Sequence, residues 1–75
     1  MSIFAKPVFD ATVVFEGQEL FKGQGAARQW AEQVAREIEA PVEVRKIGTG
    51  WALFAVQDGQ EVRWGVFGQR LKRME

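Results

Sequence analysis

WALFAVQDGQEVRWGVF, residues 51–67, predicts a β-hairpin turned at Asp58-Gly59, because Asp-Gly supplies the two positive-φ residues of a tight two-residue turn. Fixing the turn fixes the register. Gln57 then faces Gln60, Ala55 faces Val62, Leu53 faces Trp64 and Trp51 faces Val66, all on one side of a sheet. The other side carries Val56 opposite Glu61, Phe54 opposite Arg63 and Ala52 opposite Gly65, with Phe67 near the end. The first side reads as core. The second is more apolar than an ordinary solvent-facing surface.

Upstream, residues 42–47 alternate as a strand, with Val42 and Val44 on the core side and Glu43 and Arg45 on the other. Gly48-Thr49-Gly50 turns this strand back into the hairpin. A Thr49-Gly50 turn gives outer-face rows of Glu43, Val56 and Glu61, then Arg45, Phe54 and Arg63, then Ile47, Ala52 and Gly65. A three-residue turn needs a glycine bulge to keep the same alignment. Before this strand, Ala27, Trp30, Ala31, Val34, Ala35 and Ile38 fall on one helical stripe within residues 24–39, with Arg28, Glu32, Gln33, Arg36 and Glu37 away from it. Pro41 ends that helix, since the residue before a proline resists the α region. Residues 8–15 alternate as a strand, with Phe9, Ala11, Val13 and Phe15 against an outer set of Val8, Asp10, Thr12 and Val14. Glu16-Gly17-Gln18 is a turn, and residues 19–22 form a short returning strand.

The order is therefore β-β-α-β-β-β, an α+β chain in two layers, with one helix packed on an antiparallel sheet of four to five strands. The strand order stays open, since the first strand fits beside the third or beside the last. Seventy-five residues make a single domain, with residues 1–6 and 69–75 expected to fray.

Ten basic and ten acidic residues cancel. A neutral chain lacks the broad positive field of a nucleic-acid or anionic-membrane binder. Cysteine is absent, which excludes disulfides and thiolate metal sites and fits a cytoplasmic setting. No apolar run has the length of a membrane span. Histidine and tyrosine are also absent, and Ser2, Thr12 and Thr49 are the only hydroxyls. Ser–His and Cys–His nucleophiles are impossible, and zinc and haem lose their commonest ligands. Glu43 and Glu61, sharing a sheet face across Val56, are the one carboxylate pair placed for acid–base work or a hard cation. Outer-face glutamates are mostly solubilising. Gly23-Gln24-Gly25 before the helix lacks the third glycine and the Lys-Ser/Thr of a phosphate loop, and reads as a flexible strand-to-helix turn.

No catalysis, cofactor or metal is expected. The leading expectation is a small non-enzymatic protein-binding domain, acting as an inhibitor, adaptor or subunit. Its site is the outer sheet face, Arg45, Phe54, Val56, Arg63 and Phe67, which contacts another protein or a second copy of the chain. Arginine and aromatic residues compose interface hot spots. The self-contained alternative has the guanidinium stems simply covering Phe54. A reading of a different class has Phe54 and Phe67 stacking on single-stranded nucleic acid, with Arg45, Arg63 and the basic tail along the backbone. The neutral charge argues against it. Arg70, Lys72 and Arg73 of the tail are further candidate contacts. The register itself is testable. Gly59→Val forces a β-branched residue to a positive φ, so denaturant unfolding is expected to show a loss of about 1–3 kcal/mol, and an unchanged midpoint would refute the turn.

Overall fold

Four two-residue turns organise the sheet, closing the pairs Phe15↔Gln18, Ile47↔Gly50, Gln57↔Gln60 and Phe67↔Arg70. The structure, a computed structural model, describes residues 7–74. Its elements are β1 (Thr12–Phe15), β2 (Gln18–Phe21), α1 (Gln24–Ile38), β3 (Val42–Ile47), β4 (Gly50–Gln57), β5 (Gln60–Phe67) and β6 (Arg70–Met74). Asp58 and Gly59 have φ of 55° and 75°, the mirror-image turn that matches strand twist. The α+β architecture, with one helix on an antiparallel sheet, is as the sequence implies, with one strand more.

That strand is β6. Within the stretch 69–75, expected to fray, Arg70–Met74 pairs with β5 from Arg63↔Met74 to Phe67↔Arg70, while residue 75 lies outside the described residues. Gly68 and Gln69, both at positive φ, make the turn into it. Leu71 is fully buried and anchors the strand in the core. The ends expected to fray at 1–6 lie outside the described residues.

Helix α1 starts abruptly from an extended Gly23 with no side-chain cap. It ends at Glu39, whose left-handed backbone (φ 57°) turns its N–H to the carbonyl of Ala35. Ala27, Trp30, Ala31 and Val34 bury its apolar stripe against Leu53, Ala55, Val62, Trp64 and Val66. Burial of such a stripe is what holds a helix of this length, since an isolated one is marginal in water. Two indoles find the partners that burial demands. Trp30 Nε1 donates to the Asp10 carboxylate at 2.7 Å, and Trp64 Nε1 to Gln57 Oε1 at 3.1 Å. No helix among the described residues is long and apolar enough to cross a membrane.

The sheet departs from the sequence reading in three places. First, the turn after β3 is Gly48-Thr49, with Gly48 at φ 58°. Each β3 residue is thus displaced by two along β4, giving Glu43↔Phe54 and Arg45↔Ala52. The step is even, so the faces are preserved. Secondly, β4 and β5 pair as expected from Gln57↔Gln60 to Leu53↔Trp64, and no further. Trp51 pairs instead with Phe21 of β2. The short returning strand is therefore real, and it wedges in where β5 turns away at Gly65, a residue type that marks bends in strands. Thirdly, β1 begins only at Thr12, after a bend at Asp10. Upstream of the bend the inward and outward sets reverse, so Val8 is 4% exposed and Phe9 91%. The Val8 N–H reaches the Gln69 carbonyl at 2.9 Å, and Pro7 bridges Arg70. Neither strand-order option holds: among the described strands β1 pairs only β2, while the chain leading into it lies against β6.

The β1–β2 hairpin thereby covers much of the outer face. Leu20 and Val13 sit on Gly50, and the Phe15 ring sits on Gly48. A Cβ at Gly50 would lie 2.5 Å from the Leu20 Cβ. Gly50→Ala is accordingly expected to cost about 1–3 kcal/mol through overpacking. Gly65→Ala, whose Cβ would meet Met74 at an ordinary 3.6 Å, should be milder. Equal thermal midpoints for wild type and Gly50→Ala would show that the hairpin does not rest there.

Candidate functional site

The outer face is best read strand by strand. In β4, Ala52, Phe54 and Val56 point outward, and they run from buried through half-buried to 63% exposed. The gradient follows the hairpin, which shelters the Gly50 end of β4 and leaves the Gln57 end open. β3 contributes Glu43 and Arg45, and β5 contributes Glu61 opposite Val56 and Arg63 opposite Phe54.

Arg45 is the hub of the open part. Its guanidinium carbon stands 4.3 Å from the centre of the Phe54 ring, within cation–π range. Its Nη2 donates to Glu43 Oε1 at 2.9 Å and also to Glu61 Oε2. The hydrogen bond to Glu61, then the one to Glu43, pushes the arginine pKa further upward. In return Arg45 holds the Glu61 carboxyl below the usual glutamate value. The two carboxylates singled out for acid–base or cation chemistry are therefore both committed to one guanidinium. The arrangement matches the shielding alternative at Phe54: a charged, planar lid on an aromatic ring.

Phe54 also lines a shallow groove of about 470 Å³. Pro41, Val42 and Glu43 form one wall, and Phe54, Ala55, Val56 and Glu61 the other. It runs along the start of β3, at the margin of the sheet.

The five proposed contact residues do not form one patch. Arg45, Phe54 and Val56 lie together. Arg63 pairs with Phe54 across the ladder, but its Nη1 donates to Gln18 Oε1 of β2. Its Nε and Nη2 are enclosed, with no acceptor among the described residues. That enclosure lowers its pKa from the ordinary arginine value. Arg63 ties the hairpin to the meander and is half-buried. Phe67 is exposed near the far end of β5, with Lys72 Nζ 5.0 Å from its ring centre. The tail cations also divide. Lys72 lies opposite Gly65 and Arg70 opposite Phe67, while Arg73 pairs with Trp64 and shares the Leu71 side of β6. Pro41 and Val42 were not among the candidates. The signal that would have found them is the Gly48-Thr49 turn, which carries the start of β3 out to Phe54 and Ala55.

No family model, curated protein or solved structure matches the chain.

The ion cluster sets a titration. Ionised Glu61 is preferred in the folded chain, so its contribution is present above the ordinary glutamate pKa and is lost as pH falls through the lower folded value. Carbon-detected NMR titration is expected to find Glu61 below that ordinary value, and Arg45→Met should return it upward. An identical Glu61 titration in both proteins would mean that the pair is not held in solution.

Proposed function

We propose that this chain is a non-enzymatic protein-binding domain that works by occupying a partner's surface, as an inhibitor, adaptor or subunit does. The contact surface is the open end of the outer face, the groove bounded by Phe54, Val56 and Pro41. The observation that carries the reading is Val56. It is an apolar side chain, 63% exposed, in a concave site that Phe54, Pro41 and the carboxylates of Glu43 and Glu61 also line. Exposed apolar residues placed singly mean little, whereas an apolar centre within a polar rim is the anatomy of an interface. Arg63 leaves the proposed site, since the hairpin engages it.

The side-chain inventory also supports a non-enzymatic role. The groove carries no hydroxyl, and its two carboxylates are held by Arg45. The cytoplasmic setting remains part of this proposal and rests on the cysteine-free sequence. The nucleic-acid reading needs two open ring faces for stacking. Arg45 lies over Phe54 and Lys72 near Phe67, so no observation favours it.

Val56→Asp tests the proposal better than a change at Phe54, which packs under Arg45. The variant should stay folded because the side chain is exposed, with a melting temperature lowered modestly by the second carboxylate opposite Glu61. It should lose capture of host proteins by tenfold or more, given the roughly 2 kcal/mol typical of a central apolar anchor. Arg28→Asp, on the exposed side of α1, is the control. Quantitative mass spectrometry of proteins retained from a host extract reads the result. Equal retention by wild type and Val56→Asp would remove the groove from consideration.

A further inference from the structure

β3 is an edge strand of the sheet, since it pairs with β4 alone among the described strands. The two-residue turn decides which of its backbone groups are free. Ile47 and Gly50 flank the turn as a hydrogen-bonded pair, so Arg45↔Ala52 and Glu43↔Phe54 are hydrogen-bonded too. The N–H and C=O groups of Val42, Val44 and Lys46 therefore point away from β4. The same alternation directs Trp51 of β4 away from β3, where it meets Phe21, which checks the assignment. A six-residue strand with three residues' backbone groups unpaired along one edge is a template for another strand.

We propose that this edge pairs antiparallel with β3 of a second copy of the chain, with the two-fold axis at Val44. The strand's own charges select both occupant and register. Outward-pointing residues must face outward-pointing residues, which leaves three central alignments. Centring on Glu43 places Glu43 against its own copy, and centring on Arg45 does the same for Arg45, so both set like charges directly opposite. Centring on Val44 places Glu43 opposite the second copy's Arg45 and Arg45 opposite the second copy's Glu43. It makes two attractive pairs at the closely spaced positions of the ladder. Val42 then faces Lys46, and Val44 faces Val44. Val42 and Val44 are only partly covered by the core they pack against, so the pairing also buries apolar surface on the helix side. The interface is isologous, as a two-fold axis requires. This inference does not depend on the groove reading, because it rests on the backbone edge and charge order of β3, although Val42 and Glu43 also line the groove.

The experiment combines sedimentation with amide exchange and charge exchange. Sedimentation equilibrium should show a concentration-dependent dimer. Amide protection of Val42, Val44 and Lys46 should rise with concentration, while Glu43, Arg45 and Ile47 stay protected at all concentrations. Glu43→Arg alone and Arg45→Glu alone should each weaken self-association about tenfold or more, because each makes the facing pairs alike in charge. An equimolar mixture of the two variants should dimerise, since each then faces its opposite. Circular dichroism melting confirms that both remain folded. The proposal is overturned by a monomer at millimolar concentration with Val44 exchanging freely, by a dimer indifferent to either charge reversal, or by no recovery in the mixture. Protection of Val44 only on addition of a different protein would assign the edge to another partner and would overturn it equally. Val56→Asp separates this inference from the groove reading, because it should leave the dimer intact.

Discussion

The absence of a side chain at Gly50 is the constraint on which the arrangement turns. Because nothing projects outward there, Leu20 and Val13 settle directly on the β4 backbone. That contact brings Phe21 level with Trp51 and gives β2 its place in the ladder. β5 cannot occupy the same edge, so it leaves β4 after Leu53↔Trp64 and continues with β6 alone. A flat meander with a helix on one face becomes a curled sheet with apolar cover on both. The departure of β5 also makes room for Leu71 and Val8 in the principal core. The apolar character of the Gly50–Ala52 end of the outer face is thus explained internally, by Val13, Phe15 and Leu20.

What the hairpin leaves uncovered is governed by charge. Arg45 bonds Glu43 on its own strand and Glu61 two strands away, and it lies across Phe54 between them. Exposed pairs of this kind contribute little to stability individually. Their value is geometric. A guanidinium fixed by two carboxylates and a ring has few conformations left, so it presents a defined surface to whatever approaches. Preorganisation of this sort lowers the entropic cost of binding.

Much of the fold was legible because its signals are local. Asp58-Gly59 set the turn and five paired positions of β4 and β5, and the stripe from Ala27 to Ile38 set the helix. What escaped was non-local or disguised. The sequence RLKRM reads as a basic tail, since its one buried residue, Leu71, is flanked by cations that face outward or snorkel. Gly68-Gln69 lacks the usual Asn-Gly or Asp-Gly signature, although both residues adopt positive φ. Val8 and Phe9 looked like members of a continuous alternation, and the bend at Asp10, whose carboxylate accepts from Trp30, is not signalled locally. At the site, parity survived the change of turn, so Arg45, Phe54 and Val56 were placed on the correct side. Their isolation from Arg63 and Phe67 was not visible, because it depends on Gln18 and on where β5 turns away.

The bridge between Pro7 and Arg70 bears on how such a chain assembles. Each of the four hairpins can zip from its own turn, with almost no loop to close. The seam at Phe21↔Trp51 encloses the whole helix, and the one at Pro7 and Arg70 encloses nearly everything described. Loop-closure entropy grows with the enclosed length, and non-local pairings slow folding. The meander from β3 to β6 can therefore form early, with the β1–β2 hairpin arriving as a finished unit. On a ribosome the first-made hairpin would wait for the last-made strand before the ring of contacts could close. Until then the Gly50 and Ala52 backbone would stand open to any other hairpin in reach, including one from a neighbouring nascent chain.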